Sequence, residues 1–282
     1  KIDRSFSARV ENLVAERIVD KGIVVFKKKI DLEIDNVKNP HLVWSSIKEL
    51  EDELLNVKNT LKKYIYDYEK EEISQNYVYL EGKADNLLIP NVERKLMSII
   101  SNKQRNFVTI LGDYGSGKST LLRKIKYNLS KKYIINTENK IPILFLLKEY
   151  YKSNNLDNFI SNSIYRELQR DIPLSLFWNY VKNSRLVLLL DGFDEMVAQV
   201  TIEKRKELFL KISPLLKSDS TSILTCRPTY FVSPKEFKDY VSLINEKNKS
   251  IPLSILKSKK KRDNSSIENF KNNLSEKILG IE

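Results

Sequence analysis

Three short stretches hold the residues whose types and spacing could do chemistry. The first is Gly112-Asp113-Tyr114-Gly115-Ser116-Gly117-Lys118-Ser119-Thr120. It fits the pattern G-x-x-x-x-G-K-[ST] of a phosphate-binding loop. Glycine suits such a loop because the backbone must turn tightly and aim its N–H groups at phosphate. A helix starting at Lys118 would add the positive end of its dipole to the same place. Lys118 is expected to reach the β- and γ-phosphates of a nucleoside triphosphate, and the Ser119 hydroxyl to ligate Mg²⁺. The chain has seven glycines, and three of them fall between positions 112 and 117. A surface loop that merely needed flexibility would explain neither Lys118 and Ser119 nor the apolar run before the loop.

The second stretch is Leu186-Val187-Leu188-Leu189-Leu190-Asp191-Gly192-Phe193-Asp194-Glu195. An apolar strand ending in an acid, downstream of a phosphate-binding loop, places a carboxylate where it can hold Mg²⁺; Asp191 is that residue. Asp194 and Glu195 are the candidates to orient or deprotonate an attacking water. The third stretch is Ser222-Ile223-Leu224-Thr225-Cys226-Arg227-Pro228. Here a strand ends in arginine, whose planar fork suits a γ-phosphate. Cys226 reads as a small buried spacer and not a nucleophile.

The elements around these stretches alternate. Strands are expected at Phe107–Leu111, Ile141–Leu147, Leu186–Leu190 and Ser222–Thr225, and helices at Lys118–Leu129, Leu156–Gln169 and Glu203–Leu216. Continuous apolar strands between amphipathic helices predict a parallel sheet covered on both faces. The fold class is therefore α/β: the three-layer sandwich of a P-loop NTPase over residues 76–242. A smaller N-terminal helical or α+β region spans residues 1–75. A polar, basic linker with a short amphipathic helix (Ile267, Phe270, Leu274, Ile278) spans residues 243–282, and the run 257–262 within it is basic.

In the N-terminal region Phe6, Val10, Leu13, Val14 and Ile18 recur at helical spacing, with Gly22 as a C-cap. Ile23 to Phe26 is β-prone, and Ile30, Leu32 and Ile34 alternate as in a half-buried strand. Asn39-Pro40 reads as a helix start. Ile47, Leu50, Leu54, Val57, Leu61, Tyr64 and Tyr68 then form a heptad seam. That seam predicts a long helix packed inside a bundle, with a self-association helix as the other reading. Gly82 to Asn86 reads as a polar break. Asp31, Asp35 and Glu81-Gly82-Lys83 contain the residue types of a metal-dependent nuclease, but a long helical stretch separates them, which argues against that site.

Composition narrows the function classes. Lys plus Arg outnumber Asp plus Glu by 49 to 37, a net charge of +12, which suits anionic partners such as nucleotide or nucleic acid without selecting one. His41 and Cys226 are the only residues of their types. An internal disulfide is thereby excluded, and so are a multi-histidine metal site and a zinc finger. No apolar run is long enough for a membrane span. A lone cysteine fits a reducing, cytoplasmic setting. The chain begins with Lys instead of Met, so a piece of a longer protein is expected.

Together the motifs resemble the NACHT branch of the STAND signalling ATPases over about residues 77–241. In that family the second motif reads D-G-hydrophobic-D-E, as in Asp191 to Glu195. The third often reads T-S-R-P; here Cys226 replaces the serine. The strand Ile141 to Leu147 looks like the family's second core strand. The resemblance implies a switch that binds ATP and Mg²⁺, hydrolyses slowly and self-associates on activation, in immune or antiphage defence. It implies an effector on one side and a sensor on the other, segments expected to lie outside this chain if it is a fragment; otherwise its regulation differs from the family's. No histidine follows residue 41, so the histidine that contacts nucleotide from the family's winged-helix region has no counterpart. A nucleic-acid-stimulated motor and a nucleotide-gated scaffold are the competing readings.

Overall fold

The computed structural model describes residues 4–26, 41–46, 50, 53, 55–84, 87–102, 107–153, 155–198, 200–228 and 250–255. The chain opens with helix α1 (Arg4–Ala15), strand β1 (Gly22–Phe26) and strand β2 (Leu42–Ser46), which pairs with β1 in parallel. Helices α2 (Val57–Lys70) and α3 (Glu72–Gln75) follow, then the hairpin strands β3 (Gly82–Ala84) and β4 (Leu87–Ile89) and helix α4 (Val92–Ser101). From there strand and helix alternate. The order is β5 (Phe107–Leu111), α5 (Lys118–Ile135), β6 (Ile141–Leu146), a 3₁₀ turn, α6 (Leu156–Leu168) and α7 (Leu174–Lys182). It continues with β7 (Leu186–Asp191), α8 (Phe193–Met196), α9 (Ile202–Leu216), β8 (Thr221–Cys226) and β9 (Ser250–Ile255).

Seven of these strands form one sheet in the order β4-β3-β9-β5-β8-β7-β6. The five from β9 to β6 are mutually parallel, and β3 and β4 are antiparallel at one edge. Alternation along each strand divides the core between the two faces. Phe107, Leu188, Leu190 and Leu224 join a cluster with Phe159, Ile160, Phe177 and Ile212. Their neighbours Val108, Ile110, Val187, Leu189 and Ile223 join a second cluster with Leu96, Leu121, Leu122 and Ile125. Burial on both faces is the reason these strands read as unbroken apolar runs. The expected α/β sandwich is the observed fold.

Several local expectations differ from the structure. Gly22 opens β1 instead of capping a helix; a Cβ there would lie 2.8 Å from Val10 Cγ2. The chain after Asn39-Pro40 enters strand β2, not a helix, since Leu42 to Ser46 pairs along Gly22 to Phe26 and that ladder outweighs a capping signal. Gly82 to Ala84 of the expected polar break is strand β3. Ser250–Ile255, assigned above to a linker, is a strand beside the phosphate-loop strand β5 and pairs with β3 on its other side. The sheet therefore draws on chain beyond the C-terminal end of residues 76–242. Ile30 to Ile34, Asp31 and Asp35, Asn39 and Pro40, Ile47, Leu54, the basic run 257–262 and the helix expected over 267–278 lie outside the described residues.

The heptad seam packs inward. Val57, Leu61 and Tyr68 of α2 are buried, and Val57 and Leu61 belong to the main core cluster. Tyr64 Oη donates to the carbonyl of Arg123 on α5 at 2.9 Å, Tyr68 stacks on Tyr127 with centroids 4.8 Å apart, and Arg123 pairs with Glu71. So α2 is a wall of the nucleotide-loop helix, which is the packing reading of its seam. The free edge at β6 is sealed by α6. Glu167 Oε2 accepts from Leu144 N at 3.2 Å and Arg166 Nη2 donates to Leu144 O at 2.9 Å, so both outward backbone groups of Leu144 are satisfied.

Candidate functional site

Strand β5 is flanked by β8 on one side and β9 on the other, with β7 beyond β8. In such an open parallel sheet the crevice lies at the carboxyl ends of the strands, where the strand order reverses. The loop 112–117 follows β5, Asp191 ends β7 and Arg227 follows β8, so all three lie at the carboxyl ends of their strands. The strand register brings the three sequence motifs to one rim.

The loop is held by its own backbone. Gly112 N donates to Cys226 O at 3.2 Å, which ties the loop to the end of β8, and Ser116 N donates to Asp113 O at 3.2 Å. Gly115 has φ 72° and Gly117 φ 87°, a left-handed region that glycine enters without steric cost. At Gly117 a Cβ would also meet Leu80 Cδ1 at 3.3 Å. Lys118 folds back over the loop, its Nζ donating to Gly112 O at 2.7 Å and Asp113 O at 3.0 Å. The ammonium thus lies inside the arc of the loop, where phosphate would bring better acceptors. Ser116 Oγ is buried with no hydrogen-bond partner. Ser119 is exposed at the first turn of α5, and Thr120 lines a cavity beside it.

Thr225, one residue earlier than the spacer cysteine, organises the second motif. Its Oγ1 accepts from Gly192 N at 2.8 Å and donates to Asp191 Oδ1 at 2.6 Å. The hydroxyl therefore fixes both the backbone after β7 and the carboxylate that ends it. Asp191 and the Ser119 hydroxyl are hard oxygen donors, the kind Mg²⁺ prefers when phosphates and water complete its shell. Such a site needs no cluster of three protein ligands, and among the described residues none occurs.

The two remaining acids differ sharply. Asp194 is buried and paired with Arg227, Nε to Oδ2 at 2.7 Å. Glu195 is exposed, its carboxyl carbon 3.2 Å from where a Cβ on Gly192 would stand. Arg227 also lies over the ring of Tyr114, 5.1 Å from its centroid. Cys226 is buried in the floor between these groups. Burial pushes its thiol well above the ordinary range, the Asp194 carboxylate raises it further, and Lys118 opposes them. The folded protein should therefore resist alkylation by iodoacetamide at pH 8, with labelling appearing only in denaturant. Rapid labelling of native protein would contradict the assignment of Cys226 as a spacer.

The structure adds residues that no motif pointed to. A cavity of about 290 Å³ adjoins the loop, lined by Ile73, Asn76, Tyr77, Val78, Leu80 and Thr120 among others. Its wall comes from the segment between α3 and β3. No local pattern distinguishes that segment, because its role depends on where α2 leaves it against Gly117. The sequence reading also gave Thr225 no task; a hydroxyl at a strand end next to an acid-terminated strand was the available signal.

Residues 106–241 match the NACHT domain model. An uncharacterized WD repeat-containing protein of Nostoc sp. is 22% identical over 249 residues, covering 79% of this chain and 16% of that protein, so the chain spans a small part of this relative. One chain in a structure of Drosophila ORC bound to GC-rich DNA and Cdc6 aligns at 10% identity and TM-score 0.36, over 84% of this chain and 36% of the other. Another, in the E. coli MS115-1 HORMA:CdnC:Trip13 complex, aligns at 14% identity and TM-score 0.31, over 83% and 70%. Among the described residues no helix is long and apolar enough to cross a membrane. The family match falls on the segment that carries the phosphate loop, the acid-terminated strand and the arginine-terminated strand, and residues 106–241 are thus a NACHT domain, a P-loop NTPase module.

Proposed function

We propose that this chain is the nucleotide switch of a STAND-type signalling protein acting in cytoplasmic innate immune or antiphage defence. It binds ATP with Mg²⁺, hydrolyses it slowly and self-associates in the triphosphate state. The observation that carries this reading is the meeting of Lys118, the Thr225-held Asp191 and the Asp194-held Arg227 on one rim of the sheet. The NACHT match supports the signalling part of the reading.

Residues 112–117 cradle the phosphates with backbone N–H groups, and Lys118 leaves its carbonyl partners to neutralise phosphate charge. Ser119 and Asp191 hold Mg²⁺, which when bound draws charge from the terminal phosphates. Glu195 orients the attacking water, since Asp194 is committed to Arg227. The cavity beside Gly117 and Thr120 receives the base; its largely apolar wall and the absence of a guanine-specific motif favour adenine. Three seam residues of α2 are buried, which favours the switch over a scaffold that uses the seam as its interaction surface.

The test is turnover and mass measured on the same sample, by phosphate release and light scattering, with and without Mg²⁺-ATP. Slow hydrolysis with ATP-driven assembly is expected. Lys118→Ala should weaken ATP by about 10–100-fold, from lost charge-assisted contacts. Unchanged affinity in that variant would remove the site assignment. Fast turnover by a monomer, stimulated by DNA or RNA, would replace the switch with a motor.

A further inference from the structure

Arg227 is held from two sides. Its Nε meets Asp194 Oδ2 at 2.7 Å, and its guanidinium carbon lies 5.1 Å from the centroid of Tyr114. The Asp194 side chain is 5% exposed, and its other oxygen, Oδ1, is buried with no hydrogen-bond partner. Contact therefore runs through a single carboxylate oxygen and Nε. This leaves the terminal Nη edge of the guanidinium, the fork that matches phosphate in bidentate fashion. A free arginine side chain spreads over many rotamers, and ordering it costs entropy. Here a buried carboxylate anchors the near end, and the guanidinium carbon lies over a ring of the phosphate loop itself. Tyr114 is otherwise 83% exposed, an unusual placement for an aromatic residue with no contact to serve.

We infer that Asp194 and Tyr114 form a bracket that pre-orients Arg227, and that this bracket sets the preference of the site for a nucleoside triphosphate over a diphosphate. The inference rests on the nucleotide reading above and deepens it. Only the triphosphate carries a γ-phosphoryl group to Arg227, so any contact made there separates the two ligands, whereas loop contacts are shared by both. Asp194 is then a positioning residue that acts through Arg227, and the water falls to Glu195. Tyr114 is a specificity residue located in the variable part of the loop motif.

The measurement is the ratio of dissociation constants for ADP and for the non-hydrolysable analogue β,γ-imido-ATP, by calorimetry with Mg²⁺ on the full chain. Arg227→Ala should lower the preference for the triphosphate by about tenfold or more. Asp194→Leu should lower it comparably, and Asp194→Asn should restore most of it, because the amide oxygen still accepts from Nε. Tyr114→Leu should lower it about 2–5-fold, and Tyr114→Phe should keep it, since the ring face is retained. Affinity for ADP should stay near the wild-type value throughout; a merely structural defect would weaken both ligands together. Tyr114 is an exposed loop residue, so its variants report even if Asp194→Leu fails to fold. A wild-type ratio in both Tyr114→Leu and Asp194→Leu overturns the bracket. Lys118→Ala separates the two failures. If it weakens both nucleotides while the ratio ignores the bracket, only the bracket falls. If it weakens neither, the nucleotide reading falls and takes the bracket with it.

Discussion

Glu195→Gln is expected to lower ATP turnover by about 10²–10⁴-fold, the usual contribution of a positioned general base, with nucleotide affinity nearly unchanged. The two acids of the motif separate by environment. Asp194 is buried and engaged with Arg227, while Glu195 is exposed beside Gly192 at the open rim. The Asp194 carboxylate is buried and already engaged by Arg227, whereas the exposed Glu195 carboxylate is open to a water at the rim. The amide keeps the shape of Glu195 and removes its basicity, so binding should survive while the chemical step slows. Assembly in the presence of ATP should then persist for longer than in wild type, because the triphosphate state is no longer cleared. The check is single-turnover hydrolysis with light scattering on the same sample. Wild-type turnover in Glu195→Gln would move the base elsewhere on the rim.

Glu167→Leu is expected to be the most destabilising single change outside the site. Glu167 Oε2 lies 2.7 Å from Lys126 Nζ, with the two side chains 7% and 8% exposed, and also accepts from Leu144 N. Lys126 sits in addition over the ring of Tyr64, 4.0 Å from its centroid. Four elements meet there: the helix that follows the phosphate loop, helix α6, edge strand β6 and, through Tyr64, helix α2. Removing the carboxylate leaves a buried ammonium without its counter-charge and a backbone N–H without its acceptor. Breaking a buried pair in this way costs about 3–5 kcal/mol, a fall in melting temperature on the order of 10 °C. Glu167→Gln should cost less, since its oxygen can still accept from Leu144 N. The double change Lys126→Met with Glu167→Gln should recover part of the loss by removing the unpaired charge. Thermal melts of the three variants against wild type provide the comparison. A melting point for Glu167→Leu within a degree or two of wild type would show that water reaches this pair.

The same edge explains a risk of aggregation in those variants. Leu144 turns both its N–H and its carbonyl away from β7, and Arg166 and Glu167 answer them. At the opposite edge β4 is only three residues long, a length that offers little template to a passing strand. The sheet is thus closed by side chains at one end and by brevity at the other.

The chemistry of the rim was legible in the order of residues. A phosphate loop is a local object: glycines at positions 112, 115 and 117, then Lys118 and Ser119, specify a tight turn entering a helix whatever the rest of the chain does. The five buried residues from Leu186 to Leu190 announce a strand covered on both faces, and Asp191 marks its carboxyl end. Those signals depend on neighbours a few positions away, which is why they survived without any knowledge of the fold. What tertiary structure alone decided is everything that depends on which strand lies beside which. Insertion of β8 between β5 and β7 brings Thr225 against Asp191, and Asp194 against Arg227. No spacing in the chain predicts that Asp194 and Glu195, adjacent in sequence, face the half-buried Arg227 guanidinium and open solvent respectively. Ser250–Ile255 lies in a tail whose Lys, Asn and Ser content reads as linker, yet pairing with β3 and β5 makes it a strand. Local periodicity records what one segment would bury, and only the assembled sheet determines which segments have a partner to bury against.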